Sequence, residues 1–347
     1  MFIQTHKTAS PHTWPLILIT WLIATLTFLP TIHATPANST GAGFTVSAKL
    51  PDNQIDPTQS YFDLRVKPDT AQPLTVIVAN TSDRARQLTV SPTNAWTGDN
   101  GQVSYRPNKT RQPQAPTFTS MTSAGVTFQL AAHEAKPVTF VTRIPKTGIT
   151  GQVLGAIYVT DRNTTQTTAG KSFRINNRYA MALGVNLQQT DVNKTKPDLK
   201  LHRVHATISD KKPLVVANLV NPQPVLFGGL SLTSRIFHQG GQKSLYTNTY
   251  KHYAMAPRTA MNVMMPITQK KLAPGHYTFK LTAKSGQRVW HLARNFTITQ
   301  QTAQKVNRHI TVKRNWSWLY IILGVVAAAL LVMLGYLFGH KRQSPQK

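Results

Sequence analysis

The chain has 347 residues, enough for two domains of ordinary size with a segment at either end. It contains no cysteine, which excludes a disulfide framework, a thiol nucleophile and a Cys-type zinc site. Its 39 Lys+Arg stand against 11 Asp+Glu, a net charge of +28 that would suit nucleic acid in another setting; the end segments point outside the cell, so no nucleic-acid partner is expected.

Residues 16–29, LILITWLIATLTFL, form an apolar run behind Lys7 and precede Ile32-His33-Ala34. That is the basic, apolar and small-residue order of a secretory signal, expected over 1–34 with a linker at 35–43. Short alternating or β-branched runs follow, separated by Pro, Gly, Asn and Asp: 44–50, 61–66, 73–80, 86–92, 126–130, 136–145 and 153–161. Seven such strands predict an immunoglobulin-like β-sandwich over 44–161. The polar stretch 162–172 reads as a linker. A second series, at 178–188, 198–208, 213–220, 230–237, 259–267, 276–283 and 289–298, predicts another sandwich over 173–309.

Residues 318–338, WLYIILGVVAAALLVMLGYLF, carry no charge. At about 1.5 Å per residue they would span roughly 30 Å, the thickness of a bilayer's hydrocarbon core. Trp316, Trp318, Tyr320, Tyr336 and Phe338 stand where aromatic belts do. The expected fold class is therefore all-β, two tandem immunoglobulin-like sandwiches followed by one C-terminal transmembrane helix. With the signal, this predicts export, anchoring in the plasma membrane, both domains facing the cell wall and a basic cytoplasmic tail at 339–347.

Charge divides the two series. Residues 44–161 hold 11 Lys+Arg and 8 Asp+Glu, net +3, whereas 162–313 hold 23 and 3, net +20. Carboxylate-pair catalysis, as in glycoside hydrolysis, finds little support where the second domain offers only Asp191, Asp198 and Asp210 and the only Glu of the chain is Glu134. His202 and His205 form H-x-x-H, but period two along a strand would turn them to opposite faces, so no shared metal is expected. No catalytic residue, metal or cofactor is expected, and the chain reads as a non-enzyme. Asn80-Thr81-Ser82 and Asn295-Phe296-Thr297 match the glycosylation pattern.

LPDNQ, YFDLRVKP, PLTVIVANTSD and NAWTGDNGQVSY, followed by RYAMALGVNL, DLKLHRV, YAMAP and LAPGHYTFKLTAKSGQRVWHLARNFTI, together resemble the WxL-interacting proteins of Gram-positive cell surfaces. The resemblance covers nearly the whole chain. It implies a first domain that binds peptidoglycan and a second that binds WxL-domain surface proteins or host ligands. The sequence departs from the family pattern in two places: Asp69 stands where Gly usually follows Pro68, and Arg258-Thr259 replaces Asn-Ser after Met-Ala-Pro.

On this resemblance the peptidoglycan-binding candidates are Asn53, Gln54, Tyr61, Phe62 and Asp63. Asn53 and Gln54 either contact glycan and peptide amides or only shape a turn. Tyr61 and Phe62 point to opposite faces of a strand, one to the core and one free to stack on a sugar, with Asp63 on the Tyr61 face. Tyr246, Tyr250 and Tyr253 are the partner-binding candidates, since tyrosine anchors many interfaces. The expected function is a membrane-anchored wall scaffold. An adhesin for host matrix proteins or mucus, and an accessory subunit of a cell-wall enzyme, are the alternatives. Anionic wall polymers and lipid headgroups of the cell membrane would attract the +20 domain, although solubility or habitat would also account for its charge.

Overall fold

The computed structural model describes residues 41–341 apart from 163–164, 170–172, 178, 193–194, 269–270, 309 and 311–316. The expected signal segment lies outside the described residues, as does the tail beyond 341.

The first half is built from β1 (Phe44–Lys49), β2 (Phe62–Arg65), β3 (Ala71–Asn80), β4 (Arg86–Asn94), β5 (Trp96–Thr97), β6 (Val103–Ser104), a short helix α1 (Phe118–Met121), β7 (Val126–Leu130), β8 (Ala135–Arg143) and β9 (Gln152–Asp161). A hairpin of β10 (Thr165–Ala169) and β11 (Phe173–Asn177) follows, then β12 (Ala180–Gln188). β1, β3 and β8 make a three-stranded sheet; β2, β12, β9, β4 and β7 make a five-stranded one in that order. Period-two alternation puts Leu74, Val76 and Val78 of β3 inside with Phe62, Leu64, Leu88, Val90, Ile157 and Leu187 of the larger sheet, all of them 0% exposed. Each such side chain contributes about 1.5–3 kcal/mol on burial.

Asp161 is itself buried and accepts from the Arg86 guanidinium, which joins the ends of β9 and β4. Asn80 is buried too. Its amide donates to the Arg84 and Ala131 carbonyls while its Oδ1 accepts from Ser82, so the first sequon shapes a turn and offers no accessible nitrogen.

The run at 178–188, grouped by sequence with the second series, does not lie there. As β12 it pairs antiparallel with β9 and parallel with β2, Val185 opposite Phe62 and Leu187 opposite Leu64. It therefore fills the gap between two strands of the first sandwich, and β10 occupies part of the stretch read as a linker.

The second half consists of β13 (Lys200–Ser209), β14 (Lys212–Val220), β15 (Phe227–His238), β16 (Tyr246–Met255), β17 (Ala260–Pro266), β18 (Gly275–Ser285), β19 (Arg288–Ile298), α2 (Gln300–Asn307) and α3 (Ser317–Lys341). The sheets are β13-β14-β17 and β16-β15-β18-β19. Between them Val215, Leu219, Leu230, Leu232, Ile236, Met261, Phe279 and Leu281 form one core, closed at an end by Ala303 and Val306 of α2. Thr299 caps α2, its hydroxyl accepting from the Thr302 N–H.

The all-β expectation fits these strands, but the transmembrane helix expected at 318–338 is corrected. Among the described residues no helix is long and apolar enough to cross a membrane.

Candidate functional site

The LPDNQ turn exists to deliver β2 into its parallel pairing. Asn53 donates through Nδ2 to the Arg65 carbonyl and to Gln72 Oε1, both at 2.8 Å. Gln54 donates to the Asp56 and Tyr61 carbonyls and accepts from the Asp63 N–H, so its amide is spent inside the turn. Asp56 ties down the next corner through Thr58 and Gln59. Phe62 is fully buried and Tyr61 is 37% exposed, which settles their parity: Phe62 belongs to the core. Asp63 accepts from Asn186 Nδ2 at 2.9 Å and Gln188 Nε2 at 3.1 Å.

Tyr61 starts a row of tyrosines along the outer face of the five-stranded sheet. Its side chain lies over Gly184, where an added Cβ would stand 3.7 Å from the Tyr61 Cβ and 3.8 Å from the ring. Burial holds its phenol above the usual range, helped by the charges of Asp63 and Asp56. Next in register come Ala156 and Thr93; Thr93 donates to the Tyr105 carbonyl. Burial, and secondarily Tyr61, also raise the Tyr105 phenol. Both groups stay neutral donors at physiological pH.

Beyond Tyr105 the face opens into a cleft of about 810 Å³. Tyr158, Tyr179, Thr89, Thr160, Arg106 and Arg162 line it. An open cleft with two rings, two hydroxyls and two guanidinium groups can stack a sugar and pair with carboxylates. None of these six was a sequence candidate. The available signal was Tyr158, a lone aromatic at an outward position of an otherwise apolar strand, in VLGAIYVTD.

In the second sandwich Tyr246, Tyr250 and Tyr253 are partly buried and pack against the core. The Tyr250 hydroxyl donates to the Met264 carbonyl at 2.6 Å and accepts from Asn248. Burial, then Tyr277, pushes the Tyr246 phenol up to about 12. Tyr253 stacks obliquely on Tyr250, 5.5 Å between centroids, and its ring sits where a Cβ on Gly101 would fall.

That last contact is part of a clasp between the sandwiches. The β5–β6 hairpin reaches the corner between β16 and β17: Thr97 Oγ1 accepts from Ala256 N at 3.0 Å and lies 2.6 Å from Thr259 Oγ1. Thr259 in turn donates to the Ala256 carbonyl, so Thr97 is the donor in the threonine pair. Asp99 accepts from Asn262 N at 2.8 Å and from Arg111, and Ala254 N donates to the Gly101 carbonyl. Ala95, Leu154 and Ala256 form a small apolar cluster beside them. The YAMAPRT loop therefore faces its own first sandwich.

A β-bulge between Leu201 and Val204 revises the histidine reading. Leu201, Val204, Ala206 and Ile208 turn to the core, which leaves His202 and His205 on the opposite side together. Even so, among the described residues no group of three His, Cys, Asp or Glu could hold a metal ion.

No curated protein matches the chain. Among solved structures, a chain of the CsuC–CsuE chaperone–tip adhesion subunit pre-assembly complex of Acinetobacter baumannii matches only weakly (13% identity, TM-score 0.28, covering 67% of this chain and 92% of that one). The E. coli chaperone DraB is another (12%, 0.25, 74% and 96%). Scores this low carry no argument. Family models are more specific: residues 44–161 match the peptidoglycan binding domain of WxL Interacting Protein, and residues 170–308 match its host binding domain. Together these two consecutive matches take up most of the chain, which belongs to the WxL-interacting protein family.

Proposed function

We propose that the protein is a non-enzymatic cell-surface scaffold whose first sandwich grips peptidoglycan along the outer face of its five-stranded sheet, while the second takes a WxL-domain surface protein or a host ligand. The observation that carries the wall-binding reading is the open cleft beside Tyr158 and Tyr179, which continues the row begun by Tyr61 and Tyr105. Sugar faces stack on tyrosine rings, and Arg106 and Arg162 suit the carboxylates of stem peptides. Asn53 and Gln54 support the site by holding β2, and Asp63 orients Asn186 and Gln188 on the same face. In this reading the first domain extends to the end of β12, since a piece ending near 165 would lack the strand between β2 and β9.

For the second sandwich, β16 is an edge strand to which a partner strand can add, with Tyr246, Tyr250 and Tyr253 along it as anchors. With 162–188 counted in the first sandwich, residues 189–313 keep 19 Lys+Arg against 3 Asp, and that +16 would mainly speed encounter.

Sedimentation of the full chain with insoluble peptidoglycan tests the wall reading. Tyr158→Ala and Tyr179→Ala should each weaken binding about fivefold or more with unchanged melting temperature. Wild-type binding should weaken only in part at moderate salt, because the stacked rings hold the sugar independently of the two guanidinium groups. Folded variants that sediment like wild type would remove the cleft from the site.

A further inference from the structure

We infer that the outer face of the sheet β16-β15-β18-β19 is a second binding face, for a linear phosphodiester polymer. Register fixes its composition. With Leu230, Leu232, Ile236, Phe279, Leu281 and Ala283 buried, the alternate residues face out. Arg235 stands beside Lys280, Ser231 beside Lys284, and Thr233 between Thr249 and Thr282. His291 lies across from Thr282 on the next strand. The Lys280 ammonium rests 4.9 Å from the centre of the Phe237 ring, at a shallow depression of about 160 Å³ shared with Arg235, Thr282 and His291. That contact positions the cation without neutralising it.

No carboxylate balances this face. Asp210 is the last acidic residue in the sequence, and none of the ion pairs among the described residues involves Arg235, Lys280 or Lys284. Cations and hydroxyls thus repeat along neighbouring strands at about 6.8 Å per two residues. A guanidinium fork, ammonium groups and hydroxyls are the donors that phosphate oxygens take. A protein partner would want an apolar centre, and on these strands Val289 is the exposed large hydrophobic side chain. A chain whose first half matches a peptidoglycan-binding domain is also placed where wall phosphodiester polymers occur.

The test measures binding of the full chain to purified poly(glycerol phosphate) at about 0.15 M salt, with phosphatidylglycerol vesicles and heparin as separate arms. R235Q/K280Q/K284Q should lose roughly tenfold or more of polymer affinity. K200Q/K211Q/K212Q, which removes the same charge from the β13–β14 hairpin, should stay within about twofold, and peptidoglycan sedimentation should be unchanged in both. Should the triple variant misfold, Arg235→Gln alone should cost about threefold. Equal losses in the two triple variants would mean a diffuse field and no face. Absence of polymer binding by the wild type, or tighter face-dependent binding of heparin or vesicles, would also overturn the assignment.

Discussion

Asp69 and Arg258, two of the three residues expected from the sequence to depart from the family pattern, carry positive φ angles, 55° and 54°. The left-handed region favours Gly and tolerates Asn because a Cβ crowds the following carbonyl, at a cost of roughly 1–2 kcal/mol. The Gly and Asn expected at these two positions would therefore have a conformational explanation. Asp69→Gly should raise stability by about 0.5–1 kcal/mol, part of the relief being returned to the freer unfolded chain; a urea titration that shows no gain would remove the strain from Asp69. At Arg258 the guanidinium compensates by donating to the Thr150 carbonyl at 3.1 Å. Sequence parity alone put Tyr61 and Phe62 on opposite faces, but which face was the core depended on the parallel pairing with β12, and that is set far along the chain.

Strands with apolar alternation were legible from residues alone. β7 matches the run VTFQL, and β14 and β19 lie within a residue or so of their runs. β16 was not, because YTNTYKHYAM alternates Tyr with Thr and Asn, a surface pattern that becomes a strand only beside β15. The hairpin β10–β11 was hidden for the same reason by TQTTA. Likewise the cleft beside Tyr158 draws its lining from segments distant in sequence, so no local motif marks it. The bulge in β13 reset an ideal alternation and brought His205 to a site where its Nδ1 is buried without a partner. Burial, then Arg203, holds the His205 imidazolium below its ordinary 6.5. As pH falls through about 6.5 the unfolded histidine takes up a proton that the folded one resists, so the unfolded state binds more protons and stability drops. Between pH 7 and 5, denaturant midpoints should fall more steeply for wild type than for His205→Gln; parallel curves would place the acid sensitivity elsewhere.

At the scale of the whole molecule, the clasp makes the two sandwiches one unit. Asp99 is its polar centre, serving Arg111 on one side and Asn262 on the other. Asp99→Ala leaves the Asn262 N–H without its acceptor and Arg111 without its carboxylate, and losing a charged partner of this kind costs a few kcal/mol. Calorimetry should show one thermal transition in wild type and two in Asp99→Ala, with a larger radius of gyration in solution scattering; a single transition in both would mean that other contacts bind the halves. The same clasp has a mechanical meaning. If the wall holds one sandwich and a partner pulls the other, tension is shared between these hydrogen bonds, those that join Gln152 to Pro224 and Leu226 and Arg258 to Thr150 and Gln114, and the connecting segment 189–199. The bonds sit at a corner and would be peeled one after another, whereas each sandwich must be sheared across whole strands. The clasp should therefore yield first, and the slack it releases is bounded by the segment's full reach, on the order of 35–40 Å. In a pulling experiment the molecule should lengthen by one small reversible step before either sandwich unravels, behaving as a fuse that protects the grip at both ends.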